Sequence, residues 1–220
     1  YEGQQLGEIW GYVVDGYFKT DEEARNYKVD QSFVNQMINA SALDNGLHAG
    51  DLKFVDLDGN NKIEQTTSAN DRKDMKVIGN SLPRYNYNFG ISADWYGIDF
   101  SVLFQGIGKQ NWYPGAETSM FWGPYSRPYA SFIPSDFMSQ VWSEENTDAY
   151  FPRPRGYVAL GSNRELAVVN TKYLQNLAYC RLKNLSIGYT LPDKWLSKIG
   201  FEKIRVYFSG ENLLTFTKLH

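Results

Sequence analysis

The chain has 220 residues, enough for a domain with a sizeable core. Its 22 Lys and Arg against 25 Asp and Glu leave a net charge of −3, and without a basic block that excludes an extended nucleic-acid footprint. A lone cysteine, Cys180, excludes an internal disulfide, and His48 and His220 are too few for a His-rich metal site or His-based catalysis.

Aromatic residues make up 16% of the chain, yet the mean hydropathy is −0.48. No apolar run approaches the roughly 18 residues of a membrane helix, so any membrane crossing falls to strands. Tyr1 opens in mid-pattern, and the chain is expected to be an internal piece of a longer protein.

The first element is an extended run over 7–18, with Ile9, Trp10, Tyr12, Val13 and Val14 as its apolar members. Short helices are predicted at Glu22–Tyr27 and Gln31–Ala42. From Tyr85 the alternation becomes strict: Tyr85, Tyr87, Phe89, Ile91, Ala93 and Trp95 against Asn86, Asn88, Gly90, Ser92 and Asp94. Alternate side chains of a strand point to opposite faces, so 85–95 is a two-faced strand. Tyr96-Gly97 is a two-residue turn into a second strand over 98–106, with Ile98, Phe100, Val102 and Phe104 on one face. A third two-faced strand covers 178–191, ended by Pro192 and a short helix over Asp193–Ile199. The last covers 203–212, with Ile204, Val206 and Phe208 opposite Arg205, Tyr207 and Ser209.

Two all-β architectures bury such faces. A secreted carbohydrate-binding β-sandwich would pack them into one core, with strands of about 5–6 residues. A transmembrane barrel would turn them to lipid, with strands of about 9–11 residues, aromatic girdles and short turns on one side only. The strands here have the longer length. Tyr85, Trp95, Tyr96, Tyr189 and Tyr207 mark their ends, and short joins at 96–97 and 192–202 contrast with long segments at 19–84 and 107–177. The barrel arc is the expected fold class. The sandwich, with a calcium-stapled loop, is the alternative.

One segment has metal-ligand spacing. Asp56, Asp58 and Asn60 stand at positions 1, 3 and 5 of a Ca²⁺-type loop, with the Lys62 carbonyl at position 7. Asn61 replaces the usual glycine at position 6, and Thr67 replaces the bidentate acid at position 12. Asp71 or Asp74 would supply the missing carboxylate from the returning chain. The other reading is an Asx-rich turn satisfied by its own backbone. No enzyme site is expected, because Glu22-Glu23 and Glu144-Glu145 lack a facing acid or His. No G-x-S-x-G elbow or phosphate loop occurs either. Arg153 and Arg155 are candidates to grip a carboxylate, with solvated charge as the plainer reading.

Several phrases are recognisable in series. They are Gly7-Glu8-Ile9-Trp10-Gly11-Tyr12-Val13-Val14-Asp15-Gly16-Tyr17-Phe18, then Gly50-Asp51-Leu52-Lys53-Phe54-Val55-Asp56-Leu57-Asp58-Gly59, then Val77-Ile78-Gly79-Asn80-Ser81-Leu82-Pro83. Phe104-Gln105-Gly106, Glu145-Asn146-Thr147-Asp148-Ala149 with Phe151-Pro152-Arg153, Tyr179 through Tyr189, and Ser209-Gly210-Glu211-Asn212-Leu213-Leu214-Thr215 follow in order. In this series the chain resembles SusC/RagA-type TonB-dependent outer-membrane transporters. The resemblance implies about five strands from the C-terminal part of a barrel of about 22 strands, with the plug and the final strand in other parts of the parent. It also implies a location in the bacterial outer membrane and import of oligosaccharides or peptides. The implied partners are a SusD-like surface lipoprotein, TonB acting through parts of the parent outside this chain, and the lipid bilayer. A dimer of transporter–lipoprotein pairs is the assembly to expect. The long segments 19–84 and 107–177 would then be extracellular loops, with the aromatic stretches Asn111–Tyr125 and Tyr129–Phe132 packing within a loop or docking the lipoprotein.

Overall fold

The computed structural model describes residues 3–35, 46–66, 68, 70–126, 133–154, 160, 165–198 and 200–219. The chain divides into two compact units, one from 1–79 with 113–174 and the other from 80–112 with 175–220.

The first unit takes in most of the two long segments, and they pack as a body with its own core. Its elements are β1 (Glu8–Tyr12), β2 (Val14–Tyr17), α1 (Asp21–Arg25), β3 (Leu52–Phe54), β4 (Met75–Asn80) and α2 (Ser119–Trp122). β1 pairs with β4, and β2 pairs antiparallel with β3 through Val14–Phe54 and Tyr17–Leu52. Helix α1 starts where its sequence says it should. The Thr20 hydroxyl accepts the Glu23 N–H at 3.1 Å, and Asp21, Glu22 and Glu23 place negative charge at the positive end of the helix.

The core of this unit is aromatic. Trp122 is fully buried and meets Phe121 at 4.8 Å, Tyr173 at 5.1 Å and Phe151 at 6.5 Å between ring centroids, all steeply inclined. Such edge-to-face contacts match ring edges to the electron-rich faces of their neighbours. Buried hydroxyls then need partners. The Tyr17 hydroxyl lies 2.6 Å from the Tyr150 carbonyl and 2.9 Å from the Tyr173 hydroxyl, and the Tyr125 hydroxyl donates to the Pro152 carbonyl at 2.6 Å. Burial pushes the hydroxyls of Tyr113 and Tyr173 well above their ordinary 10.0. This core absorbs Trp122 and Tyr125 of the stretch Asn111–Tyr125, which are packed inside. Tyr129–Phe132 lies outside the described residues.

The run 7–18 is a departure from expectation. It is two short strands with different partners, and Tyr12 and Tyr17 both point into the core. Val13 separates the two strands. Gly16, at φ +76°, lies where the β2–β3 register shifts between Val14 and Tyr17, and the apolar residues of this run do not alternate strictly enough to hold one face. Helix α1 occupies most of the span expected at Glu22–Tyr27. Of the expected helix Gln31–Ala42, residues 32–34 form a turn and the part from 36 lies outside the described residues.

The second unit is a four-stranded antiparallel sheet. Its strands are β5 (Arg84–Trp95), β6 (Ile98–Lys109), β9 (Tyr179–Thr190) and β10 (Arg205–Thr217), in the order β10-β9-β6-β5. Between β6 and β9 come β7 (Asn111–Trp112) and β8 (Gln175–Asn176), which pair with each other, and α3 (Asp193–Leu196) follows β9. The β5–β6 turn has Tyr96 at φ 47° and Gly97 at φ 84°, the double left-handed geometry that suits the strand twist. Twelve-residue strands at about 3.3 Å per residue extend roughly 40 Å, long enough to cross a hydrocarbon layer at a 45° tilt. β10 continues past 212 to Thr217 because a bulge follows Glu211, with Asn212 at φ 53°, and resets the alternation.

Candidate functional site

The sheet register sorts the chemistry. Ile91 faces Val102, and Val102 faces Leu185; one step along, Ala93, Phe100, Ile187 and Phe208 form a row across all four strands. This apolar face is open, with Ile91 at 61% and Phe208 at 60% exposure. The other face carries a row of four serines, Ser92, Ser101, Ser186 and Ser209, each directly opposite the next. A neighbouring row starts with Asp94 opposite Asp99 and passes through Gly188 to Tyr207. Like charges placed opposite one another repel, and here Arg205 intervenes. Its Nε donates to Asp99 at 2.8 Å, and its Nη2 donates to the second carboxylate oxygen. On the apolar face the Tyr87 hydroxyl crosses Gly106 to donate to the Tyr179 carbonyl at 3.0 Å.

In the first unit, the acidic loop closes on itself. Asp56 accepts the N–H groups of Gly59 and Asn61 at 2.7 Å each. Asp58 accepts from Asn60 at 3.1 Å, and Asn60 accepts the Lys62 N–H at 2.8 Å. Asn61 takes φ 62°, the left-handed conformation its position in the loop demands. The acid that joins them is Asp74. One oxygen each of Asp56, Asp58 and Asp74 lies within 4.8 Å of the others. Asp74 is buried and accepts the N–H groups of Leu57 at 2.8 Å and Glu64 at 2.7 Å, tying both ends of the loop together. Burial pushes its carboxyl above the ordinary 3.8, with the charges of Asp58 and Asp56 adding to the effect. Asp71 stands apart from this group, with its carboxylate 3.4 Å from Lys73. Lys62 turns its ammonium to Glu64 at 3.2 Å. Thr67 lies outside the described residues.

Both aspects are compatible with a hard cation. The backbone bonds to Asp56, Asp58 and Asn60 occupy only some of their oxygen lone pairs, and the crowding of three acids is what a divalent ion would relieve. The same bonds also complete an Asx-rich turn without one. Of the two arginines singled out in the sequence, Arg153 lies in the first unit with its N–H on the Gly50 carbonyl at 2.9 Å, and Arg155 lies outside the described residues. His48 sits 3.7 Å from Asp21, and Cys180 is half-buried in the sheet.

No protein-family model matches the chain. TonB-dependent receptor P3 of Formosa agariphila is 30% identical over 216 residues, covering 98% of this chain and 18% of the relative. TonB-dependent receptor P39 of the same organism is 27% identical over 241 residues, covering 98% of this chain and 22% of the relative. Along nearly its whole length the chain is related to TonB-dependent receptors. Among solved structures, the RagAB peptide transporter superposes with a TM-score of 0.53 at 18% identity, over 99% of this chain and 20% of that one. The RagAB peptide importer in its open-open state gives 0.50 at 19% identity, over 96% and 19%. These transporters share the fold of this chain, which spans about a fifth of their length. The two relatives are TonB-dependent receptors, and the two structural neighbours are peptide transporters.

Proposed function

We propose that this chain is part of the barrel wall of an outer-membrane, TonB-dependent importer of peptides or oligosaccharides that works with a SusD-like surface lipoprotein. The observation that carries the reading is the sheet register. Four long strands present continuous apolar rows on one exposed face and serine, carboxylate and amide groups on the other. Lipid suits the first face. The second suits a water-filled or plug-filled lumen. A carbohydrate-binding sandwich would bury the first face under a second sheet, whereas Ile91 and Phe208 are well exposed. The first unit would be the extracellular part, where the lipoprotein docks. Substrate captured between the barrel mouth and the lipoprotein passes inward when energised TonB remodels the plug, and a dimer of such pairs is the assembly we propose. The Asp56 loop, with Asp58, Asn60, the Lys62 carbonyl and Asp74, would hold a structural Ca²⁺ in this exposed unit, supported by the convergence of three carboxylates.

Purification of the intact receptor from membranes in mild detergent tests the reading. A heat-modifiable barrel that co-purifies with a lipoprotein, and TonB-dependent uptake of a labelled peptide or glycan by cells, would support it. A water-soluble protein with no membrane partner would overturn it in favour of the binding module.

A further inference from the structure

The first unit contains a groove of about 620 Å³ that the import reading leaves without a role. That volume falls within the range of small-ligand sites, roughly 300–1,000 Å³. It is built by three distant segments. The Phe18 carbonyl accepts the Gly50 N–H at 2.8 Å, the Gly50 carbonyl accepts the Arg153 N–H at 2.9 Å, and the Trp142 N–H reaches the Phe151 carbonyl at 2.9 Å. Gly50 stands at φ +86°, and a Cβ there would lie 2.6 Å from both the Trp142 ring and the Arg153 Cβ. The missing side chain is what lets the indole and the arginine stem meet along the groove.

The lining carries both signs of charge beside that ring: Lys19 and Arg153 with Asp21 and Glu144. Among the described residues, Lys19, Glu144 and Arg153 make no ion pair within 4.0 Å. Asp21 is kept ionised. The Ala49 N–H, at 2.8 Å from its Oδ1, holds its carboxyl below the usual range, with His48 and Arg153 adding to the effect. Acids and bases thus share one groove, and Lys19, Glu144 and Arg153 are left without mutual ion pairs.

From this arrangement we infer that the groove is a peptide-binding subsite. Arg153 and Lys19 receive a carboxylate of the peptide, Asp21 and Glu144 receive an ammonium, and Trp142 packs against the intervening chain. A neutral glycan offers the charged walls only hydroxyl hydrogen bonds and no counter-charge, and a polyuronate would meet two carboxylates as well as two cations. A peptide with free ends, or with mixed charged side chains, satisfies all of them. The inference rests on the importer reading and deepens it by choosing between its two substrate classes.

The experiment is calorimetric titration of the intact receptor in detergent. Its probes are a pentapeptide with free ends, the same peptide acetylated and amidated, a maltopentaose and a galacturonate oligosaccharide. The free peptide binds, and blocking its ends weakens it by about tenfold or more, the effect of losing a charge-assisted hydrogen bond. Arg153→Gln and Glu144→Gln, both on the exposed rim, each weaken the free peptide by a similar factor and leave the blocked peptide unaffected. Peptide affinity indifferent to both substitutions, or tighter binding of the galacturonate or maltopentaose, would overturn the subsite. Uptake by cells separates this from the broader reading. A receptor that imports nothing under energised TonB refutes the importer itself. Normal peptide import by the Arg153→Gln variant, with unchanged binding, refutes only the groove.

Discussion

Arg205 on β10 reaches across the whole of strand β9 to grip Asp99 on β6, and Gly188 is the residue it passes over. A Cβ at Gly188 would stand 2.5 Å from the Arg205 Nη2 and 2.6 Å from an Asp99 oxygen. The bridge offsets the repulsion between Asp99 and Asp94, which face each other across β5 and β6. Arg205→Gln is therefore expected to lower the temperature at which the folded barrel band is lost on gels. Arg205→Gln with Asp99→Asn should recover most of that loss, since the double variant removes the repulsion along with its counter-charge. Gly188→Ala should resemble Arg205→Gln, because it evicts the same side chain.

Adjacent residues of β5 test the orientation of the sheet. Ile91 lies on the apolar face and Ser92 on the serine row. Ile91→Asp should destabilise the receptor in lipid by less than the roughly 2–4 kcal/mol of a midplane Lys or Arg, and assembly should persist. Ser92→Asp should be close to neutral. Urea unfolding in liposomes distinguishes them, and loss of all folding with Ile91→Asp would favour a sandwich core.

For the acidic loop, added Ca²⁺ should raise the melting temperature of the intact receptor, by the linkage that any ligand selective for the folded state produces. Asp58→Asn should abolish that rise while costing little without the ion, because Asn keeps an oxygen for the Asn60 N–H at 3.1 Å. Equal melting with Ca²⁺ and with chelator would leave the loop as an Asx-rich turn.

The aromatic core offers a conservative substitution. Tyr17→Phe removes the partner of the Tyr150 carbonyl and of the Tyr173 hydroxyl while leaving the ring in place. Leaving buried polar groups unpaired should cost about 1–3 kcal/mol. Faster limited proteolysis within the first unit would register the loss.

Acid should loosen the same unit through α1. The Ala49 N–H holds Asp21 below 3.8, and the Lys19 N–H, helped by Lys53, holds Glu23 below 4.5. A carboxylate depressed on folding stabilises fully above its unfolded value and loses that contribution as pH falls through its folded value. Asp74 has the opposite sign: burial raises it, so protonation between its folded value and 3.8 adds stability. Fluorescence-detected melts from about pH 7 to 3 should show a fall at the acid end that Asp21→Asn with Glu23→Gln flattens.

How far the sequence discloses this structure depends on the range of the interactions involved. The alternation from Tyr85 to Trp95 and the turn at Tyr96-Gly97 are local, and β5 and β6 lie where those patterns put them. β10 runs five residues beyond the stretch that ends at 212 because a bulge there shifts the phase, and a simple period-two reading stops at the shift. The segment 7–18 misleads because an extended apolar run looks alike whether it crosses a sheet or feeds an aromatic core. Asp74 reaches the Asp56 loop only when the chain returns, so spacing within the loop does not single it out over Asp71. The charged groove is assembled from residues 19–21, 49, 142–144 and 153–154, and no window of sequence contains it.

The serine row has a consequence for whatever lies against the polar face. A hydroxyl becomes donor or acceptor by turning about one bond, so Ser92, Ser101, Ser186 and Ser209 impose no fixed polarity at that level of the sheet. A step away, Asp99 and Arg205 hold charges locked in place. A segment moving along this face would find its footing at the charges, while the hydroxyl band yields to either partner and lets it slip past.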